Sequence, residues 1–329
     1  MREKQKSLIR LVRRNLYDSM LWLILLAVTV GISMGASQFL TVRNFQSMAL
    51  QFAPMAIYTI GMLFPLMVGG INLGLVAGGN AACVIMATLY FSEAGAPLLQ
   101  SGVGIVLCVL LVVVLGVAFG ALSGYMIGYL KIPAMLATIA VQQVCNGVSM
   151  ILTRGVGKSG YSEQFLALST KVVVGMPLCF WICIVFMVVA SVLLRKRIIG
   201  VKLVAVGSNA TAAGFSGVNV KHVQLAAYMF SGFCSAVGAL MMTLQYNSAN
   251  ANQGDSYVLR TVLACVLGGV SPNGGFGRVS GVVISLVLLQ FIGSGLNLAG
   301  VTSYVQTSMW GAIVLLVMAV DRFVIQRNQ

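Results

Sequence analysis

Charged residues are scarce in this chain, and acidic residues are the scarcest. Aspartate and glutamate number 6, lysine and arginine number 20, and together they make up 8% of 329 residues. A soluble globular domain carries about 25% charged residues, so this composition cannot cover an ordinary water-facing surface. With 59% hydrophobic residues and a mean hydropathy of +0.98, the chain is predicted to be a membrane protein.

Histidine is nearly absent as well, since His222 is the single one. The acids all fall in predicted tails, loops or helix ends: Glu3, Asp18, Glu93, Glu163, Asp255 and Asp321. An intramembrane enzyme needs a nucleophile and its base, or a metal cluster, inside the spans. We therefore expect no enzyme. An ion-coupled secondary transporter needs acids or histidine at membrane depth, and it is kept as the alternative from a different class.

The cysteines are expected to pack as small apolar residues and not to ligate a metal. Nearly all lie within apolar runs: Cys83, Cys108, Cys145, Cys179, Cys183, Cys234 and Cys265. Buried cysteine behaves as a small apolar residue, and Cys179 and Cys183 are spaced to share one helix face. With one histidine and no carboxylate close by, no metal site is expected.

Uncharged runs long enough to cross a bilayer recur along the chain. About 20 residues of helix span about 30 Å of hydrocarbon. The runs predict an all-α, polytopic membrane protein with a basic cytoplasmic tail at 1–19 and one transmembrane domain at 20–329. About ten transmembrane helices are expected, at 20–41, 47–69, 73–91, 99–128, 134–152, 176–194, 222–245, 257–271, 279–298 and 303–320.

The placement of lysine and arginine predicts the orientation of these helices. Cytoplasmic loops carry an excess of both residues. With ten spans and both termini in the cytoplasm, fifteen of the 20 fall inside. The other five fall outside: Arg43, Arg154, Lys158, Lys171 and Arg260. The positive charge thus reflects topology, and no soluble basic face with interleaved aromatics is present for nucleic acid.

One stretch, GVGKSG at 155–160, combines the glycine spacing of a dinucleotide-binding turn with the end of a P-loop. A P-loop also requires a glycine five positions before Gly157, and this chain has Leu152 there. The dinucleotide motif requires a preceding strand, whereas the preceding run is predicted to be helical. We interpret GVGKSG as an external loop without nucleotide, so energy for uphill transport has to come from elsewhere.

Two glycine-rich stretches interrupt apolar runs, at 67–82 and at 267–281. Broken helices inside a membrane occur where protein or water covers the freed backbone groups. We predict gating glycines at these breaks, and their similarity predicts an architecture of two repeated halves: Gly69, Gly70, Gly74, Gly268 and Gly269. Close helix packing through small residues and, for the second stretch, a plain turn at Pro272 and Asn273 are the alternatives.

A third stretch, 201–223, belongs to the longest predicted cytoplasmic segment, about 195–221. Asn209 is placed to cap a short helix through TAAGF, and Gly217 to end it. A short helix on the cytoplasmic face suits docking of a separate motor subunit. A plain connecting loop is the alternative.

Neutral amides take the place of charges inside the predicted spans. They are candidates to line a translocation path: Asn72, Asn80, Gln142, Gln143, Asn146, Gln290 and Asn297. Such amides hydrogen-bond neutral hydroxyl groups and do not require a charged cargo. Gln306 is a further amide of this kind. Interhelical hydrogen bonding, worth about 0.6 kcal/mol each, is the alternative for any one of them.

Long ordered segments resemble the permease subunits of ABC importers for simple sugars. They are GGINLGLVAGG (69–79), LKIPAMLATIAV (130–141), AVGSNATAAGFSGVNV (205–220), the run AYMFSGF to GRVSG (227–281) and SGLNLAGVTSYVQ (294–306). The resemblance covers nearly the whole chain and implies import of a monosaccharide-like solute across the bacterial inner membrane. Relatives also handle autoinducer-2 or nucleosides, which remain alternative cargoes.

The resemblance also implies partners. It implies a second permease subunit in a homo- or heterodimer, two cytoplasmic ATPase domains holding ATP and Mg²⁺, an extracytoplasmic solute-binding protein and surrounding lipid. No cofactor is implied in this chain. The segment expected to couple to the ATPase comprises Ser208, Asn209, Ala210, Thr211, Ala212, Ala213, Gly214, Phe215, Ser216 and Gly217.

One departure from the family pattern concerns the first break. The sugar permeases usually read GGIDLSVG where this chain has Asn72 in place of the acid and Gly74 in place of the serine. The change suggests a divergent member, one half of a heterodimer being one explanation, and leaves the cargo open.

Overall fold

The computed structural model describes residues 19, 21–35, 38–93, 95–99 and 101–326. The helices are α1 Leu21–Gly35, α2 Val42–Met67, α3 Leu75–Tyr90, α4 Ala96–Leu99, α5 Gly102–Gly128, α6 Ala134–Thr153, α7 Glu163–Thr170, α8 Leu178–Lys196, α9 Ile198–Ser208, α10 Ala210–Phe215, α11 Val220–Tyr246, α12 Ser256–Leu267, α13 Val279–Leu298 and α14 Ser303–Gln326. The strands are β1 Lys158–Ser159, β2 Val172–Val173, β3 Met176–Pro177 and β4 Ser248–Ala249.

The predicted all-α architecture is confirmed. Among the described residues, 6 helices are long and apolar enough to cross a membrane, namely α2, α5, α6, α8, α11 and α13. Shorter apolar helices, α1, α3, α9 and α12, lie beside them. The total of ten crossings stays a prediction, and the predicted basic tail lies outside the described residues except for residue 19.

The core lies around α2 and α11. Every residue of α2 from Phe52 to Met67 is buried, and α11 packs against α2, α3 and α5. The contact between α5 and α11 depends on small residues at every fourth position of α5, Gly116, Gly120, Gly124 and Gly128. A Cβ at Gly124 would lie 3.0 Å from the Cα of Leu225 on α11. The two backbones therefore approach closely, as small residues allow in membranes.

The first glycine-rich stretch breaks a helix, as predicted. Between α2 and α3 the chain packs along α11 and reaches the middle of that helix. Asn72 Nδ2 donates a hydrogen bond of 2.8 Å to Ser231 Oγ, and the Ser235 hydroxyl donates to the Leu75 carbonyl. Ser231 and Ser235 lie in the middle of α11, so α3 begins inside the bundle. The second break separates α12, only 12 residues long, from α13.

Loops gather at two ends of the bundle. We call the end formed by residues 67–70, 128–133, 205–219 and 268–278 the glycine end. The opposite end, formed by residues 154–177 and 247–255, is the ribbon end. There β1 pairs antiparallel with β4, with Lys158 opposite Ala249. β2 and β3 form a hairpin through Val174 and Gly175, which both have positive φ.

Candidate functional site

The three stretches singled out in the sequence meet at the glycine end. The amide of Gly275 donates a hydrogen bond of 3.0 Å to the Met67 carbonyl. Gly207, at the end of α9, lies so close that a Cβ there would overlap the Met67 carbonyl and the Gly275 amide. A Cβ at Gly275 would lie 2.6 Å from Ser208 Oγ. We call this contact of Met67, Gly207, Ser208 and Gly275 the junction.

The two breaks have the same backbone geometry where their helices end. Gly69 (φ +80°) donates to the Leu66 carbonyl, and Gly70 donates to the Pro65 carbonyl. At the second break Gly269 (φ +78°) donates to Val266, and Val270 donates to Cys265. Both are Schellman ends, for which glycine is favoured at the left-handed position.

The remaining gating glycines permit close packing. A Cβ at Gly70 would overlap the Tyr228 hydroxyl. At Gly74 it would lie 2.9 Å from the Thr138 carbonyl of α6, and at Gly268 it would lie 2.6 Å from the Val282 amide. The alternative of close packing thus holds at these positions. Movement at the breaks stays a prediction.

The short helix α10 begins and ends as predicted. Asn209 Oδ1 accepts a hydrogen bond of 2.9 Å from the Ala212 amide, and Gly217 follows the helix with φ +80°. From Ser208 to Gly217 only Ala213 is buried, and the Phe215 side chain is 91% exposed. The sequence did not indicate α9, Ile198–Ser208, which lies within the segment 195–221 that was expected to be a loop; its Leu203 and Val206 are buried against the core.

The two asparagines of the first break each hold a neighbouring segment. Asn72 is bonded to Ser231, so its amide is engaged inside the protein. Asn80 is 3% exposed and donates to the carbonyls of Ala251, at 3.0 Å, and Gln253, at 2.8 Å. The second contact pins the ribbon-end loop between α11 and α12 to the bundle.

The other predicted path residues do not converge on one cavity. On α6, Gln142 and Asn146 are half-buried and Gln143 is exposed; the Asn146 Oδ1 atom is buried without a hydrogen-bond partner. On α13, Gln290 Nε2 lies 3.5 Å from Gln51 Oε1, and Asn297 Oδ1 accepts from Gln306 at 2.7 Å. Helix α6 packs on α3 and α5, whereas α13 packs on α2, α8 and α12.

A polar cavity of 450 Å³, which sequence reasoning did not predict, opens at the ribbon end. Amides, hydroxyls and two tyrosines dominate its lining: Met242, Tyr246, Ser248, Asn250, Asn252, Gln253, Gly254, Ser256 and Tyr257. We call it the ribbon-end pocket. GVGKSG lies beside it, because β1 pairs with β4, and no helix begins at its glycines as a P-loop would require. Burial raises the pKa of the nearby Asp255 carboxyl.

Arg260 was counted among the residues of external segments, and the structure places it inside a helix; its side of the membrane stays a prediction. It lies within α12, between the rings of Tyr257 and Trp310, with Cζ at 5.8 Å and 5.1 Å from their centres. Its Nε atom is buried without a hydrogen-bond partner. Helix α12 begins at Ser256, directly after the exposed Asp255, so Arg260 lies one turn into the helix and not in the preceding loop.

Comparisons with known proteins give consistent matches. The ribose import permease protein RbsC of Bacillus subtilis is 32% identical over 91% of this chain and 90% of its own length. That of Haemophilus influenzae is 29% identical over 95% of both chains. The L-arabinose ABC transporter permease protein AraH of Azospirillum brasilense is 27% identical over 93% of this chain and 87% of its own length. No solved structure matches the chain.

Residues 44–320 match the family described as "Branched-chain amino acid transport system / permease component". This range contains both glycine breaks, α10 and the ribbon-end pocket. Because the match covers far more than half of the chain, the chain belongs to this family of membrane permeases.

Proposed function

We propose that the chain is the permease subunit of an ATP-driven importer for a monosaccharide-like solute. The carrying observation is the junction, which fixes the capped helix α10, with Phe215 91% exposed, directly to both glycine breaks. A force applied to α10 by a separate subunit has a short, backbone-linked route to the breaks. Family membership and the importer permeases among the relatives support the same function.

The ribbon-end pocket supports a sugar as the cargo. Sugar hydroxyls bind amides and hydroxyls, and Tyr246 and Tyr257 add ring surfaces for the sugar's carbon face. Among the described residues lining the pocket none is charged, which disfavours a zwitterionic amino acid despite the family's description. The names of two relatives, which contain ribose and L-arabinose, also support a sugar as the cargo.

The wider assembly is part of the proposal. The glycine end faces the cytoplasm, since it or its flanks carry Lys131, Arg195, Lys196, Arg197, Lys202, Lys221 and Arg278. Both termini lie on that side of the bacterial inner membrane, the chain crosses about ten times in two related halves, and it pairs with a second permease. Two ATPase domains supply ATP and Mg²⁺, and a binding protein delivers the solute. The matching helix ends at Gly69 and Gly269 support the repeat.

The test of coupling replaces Phe215 by alanine in the complete importer. If α10 docks on the ATPase, loss of this ring removes an interface anchor, and such anchors are worth about 2 kcal/mol or more. ATP-driven uptake into proteoliposomes should fall at least tenfold while the apparent unfolding temperature stays unchanged. Ile198→Ala is the matched control, since Ile198 is also an exposed apolar residue (73%) but lies at the far end of α9.

Normal uptake by Phe215→Ala would remove α10 from the coupling route. Uptake by the wild-type complex that persists without ATP and collapses with an ionophore would favour the ion-coupled alternative. A competition series of ribose, arabinose, autoinducer-2 and nucleosides against labelled ribose would then rank the cargoes.

A further inference from the structure

A second cavity, of 560 Å³, lies at the glycine end and has a different lining from the ribbon-end pocket. Its walls come from the first break at Gly69 and Gly70, the α5–α6 connection at 127–134, the start of α10 at Ala210 and Thr211, and the first turns of α11. A ligand here would touch both the coupling helix and the break.

The polar lining consists mainly of hydrogen-bond donors. Lys131 and Lys221 supply two ammonium groups, and Thr211 and Gln224 add a hydroxyl and an amide. The Lys221 ammonium lies 5.6 Å from the centre of the Tyr129 ring, which holds it beside the cavity. The acidic side chains that the structure describes, Glu93, Glu163 and Asp255, all lie toward the ribbon end, so none of these three neutralises the lysines.

Tyr228 is the independent sign of a ligand. It lines the cavity, its side chain is 0% exposed, and its hydroxyl has no hydrogen-bond partner in the protein. Its hydroxyl lies against Gly70, which also lines the cavity, so closely that a Cβ at Gly70 would overlap it. A buried hydroxyl left without a partner is costly, and a bound anion would supply the missing acceptor.

We propose that this cavity binds a phosphate group, carried by a small cytoplasmic ester or by a lipid headgroup. A phosphate ester offers about two negative charges near neutral pH and three acceptor oxygens, which matches two lysines and a free hydroxyl. The volume leaves room for a sugar-sized remainder, since small-molecule sites measure about 300–1,000 Å³. Resting on the proposed function, the bound phosphate would join α10 to the break and slow transport, so that phosphorylated sugar inside the cell limits further import.

The test measures binding to the complete importer in nanodiscs of neutral lipid. By calorimetry in the presence of excess ribose, which occupies any site for the cargo, ribose 5-phosphate should still bind saturably. Lys131→Gln combined with Lys221→Gln should weaken binding at least tenfold, and Tyr228→Phe, which removes only the hydroxyl, should weaken it several-fold. Lys202→Gln is the matched control, since Lys202 is exposed on neighbouring α9 but does not line the cavity.

The two sources are separated by lipid composition. If the headgroup is the natural ligand, nanodiscs with phosphatidylglycerol should block ribose 5-phosphate, and the lysine double variant should retain less of that lipid in native mass spectrometry. If the ester is the ligand, anionic lipid should not compete. The proposal would be overturned if the importer bound neither ribose 5-phosphate nor phosphatidylglycerol. It would also be overturned if the lysine double variant bound ribose 5-phosphate as tightly as Lys202→Gln does. Because binding is read without transport, this result is independent of whether the solute is a sugar.

Discussion

At the junction of the glycine end backbone lies against backbone, whereas in the ribbon-end pocket side chains surround an open space. Gly207, Met67 and Gly275 leave no room for one additional carbon. The ribbon-end pocket encloses 450 Å³ between Tyr246, Asn250, Asn252 and their neighbours. Tight backbone contact transmits movement because packed elements cannot deform gradually, while a side-chain lining determines which solute binds. We therefore assign the transmission of movement to the junction at the glycine end and the recognition of the solute to the ribbon-end pocket.

The strongest test of this division places a side chain in the junction. Gly207→Val would force the Met67 carbonyl and the Gly275 amide apart, and neither can rotate away as a side chain could. Overpacking typically costs about 1–3 kcal/mol, and we expect about 3 kcal/mol here because both neighbours are backbone. The apparent unfolding temperature of the purified complex should fall by several degrees and uptake should be lost.

Gly214→Ala is the control for that variant. Gly214 lies in α10, and a Cβ there meets nothing within 4 Å. Alanine should stabilise the helix by about 0.5–1 kcal/mol. If Gly207→Val were tolerated as well as Gly214→Ala, the junction would not be a rigid link.

A smaller effect is expected at the ribbon end from Asn80→Ala. The change removes two hydrogen bonds that hold the loop at Ala251 and Gln253, each worth about 0.5–1.5 kcal/mol. The loop bounds the ribbon-end pocket, so the KM for uptake should rise about tenfold while basal ATPase activity is unchanged. Thr88→Ala, which removes only a bond within α3, should leave the KM unaltered. A change in ATPase activity with an unaltered KM would reverse the roles given to the two ends.

Sequence reasoning predicted those features of the structure that depend on residues close together in the chain. Apolar run lengths gave the helical fold, and the residues around α10 gave its cap at Asn209 and its end at Gly217. The spacing of four between Gly116, Gly120, Gly124 and Gly128 is also a local pattern that favours close helix packing, and α11 packs there in the structure. The junction was not predictable in this way. Met67, Gly207 and Gly275 are far apart in sequence, and their contact follows from the packing of whole helices.

The same distinction explains two features that the sequence did not predict. Arg260 was counted with the external residues because it is near the start of a span, whereas it lies one turn into α12 between the rings of Tyr257 and Trp310. Likewise α9 looked like loop because its neighbours are basic and its length is short. The burial of Leu203 and Val206 in α9 depends on the core residues that this helix contacts. Depth within the bundle is a tertiary property that hydropathy along one segment does not contain.

The smallest effect is expected from Lys158→Ala in GVGKSG. Lys158 pairs with Ala249 through its backbone, so alanine preserves the ribbon. Gly157 is a poorer choice, because a Cβ there would lie 2.6 Å from Ser248 Oγ and disturb the pocket's rim. ATPase activity of the assembled complex should be unchanged and uptake should stay within about twofold, since the half-buried Lys158 side chain does not line the ribbon-end pocket and a single surface charge contributes about 0–1 kcal/mol. In a true P-loop the lysine contacts the nucleotide's phosphates, and its removal would abolish hydrolysis. Loss of hydrolysis in Lys158→Ala would therefore assign nucleotide chemistry to the ribbon end and contradict the division between the two ends.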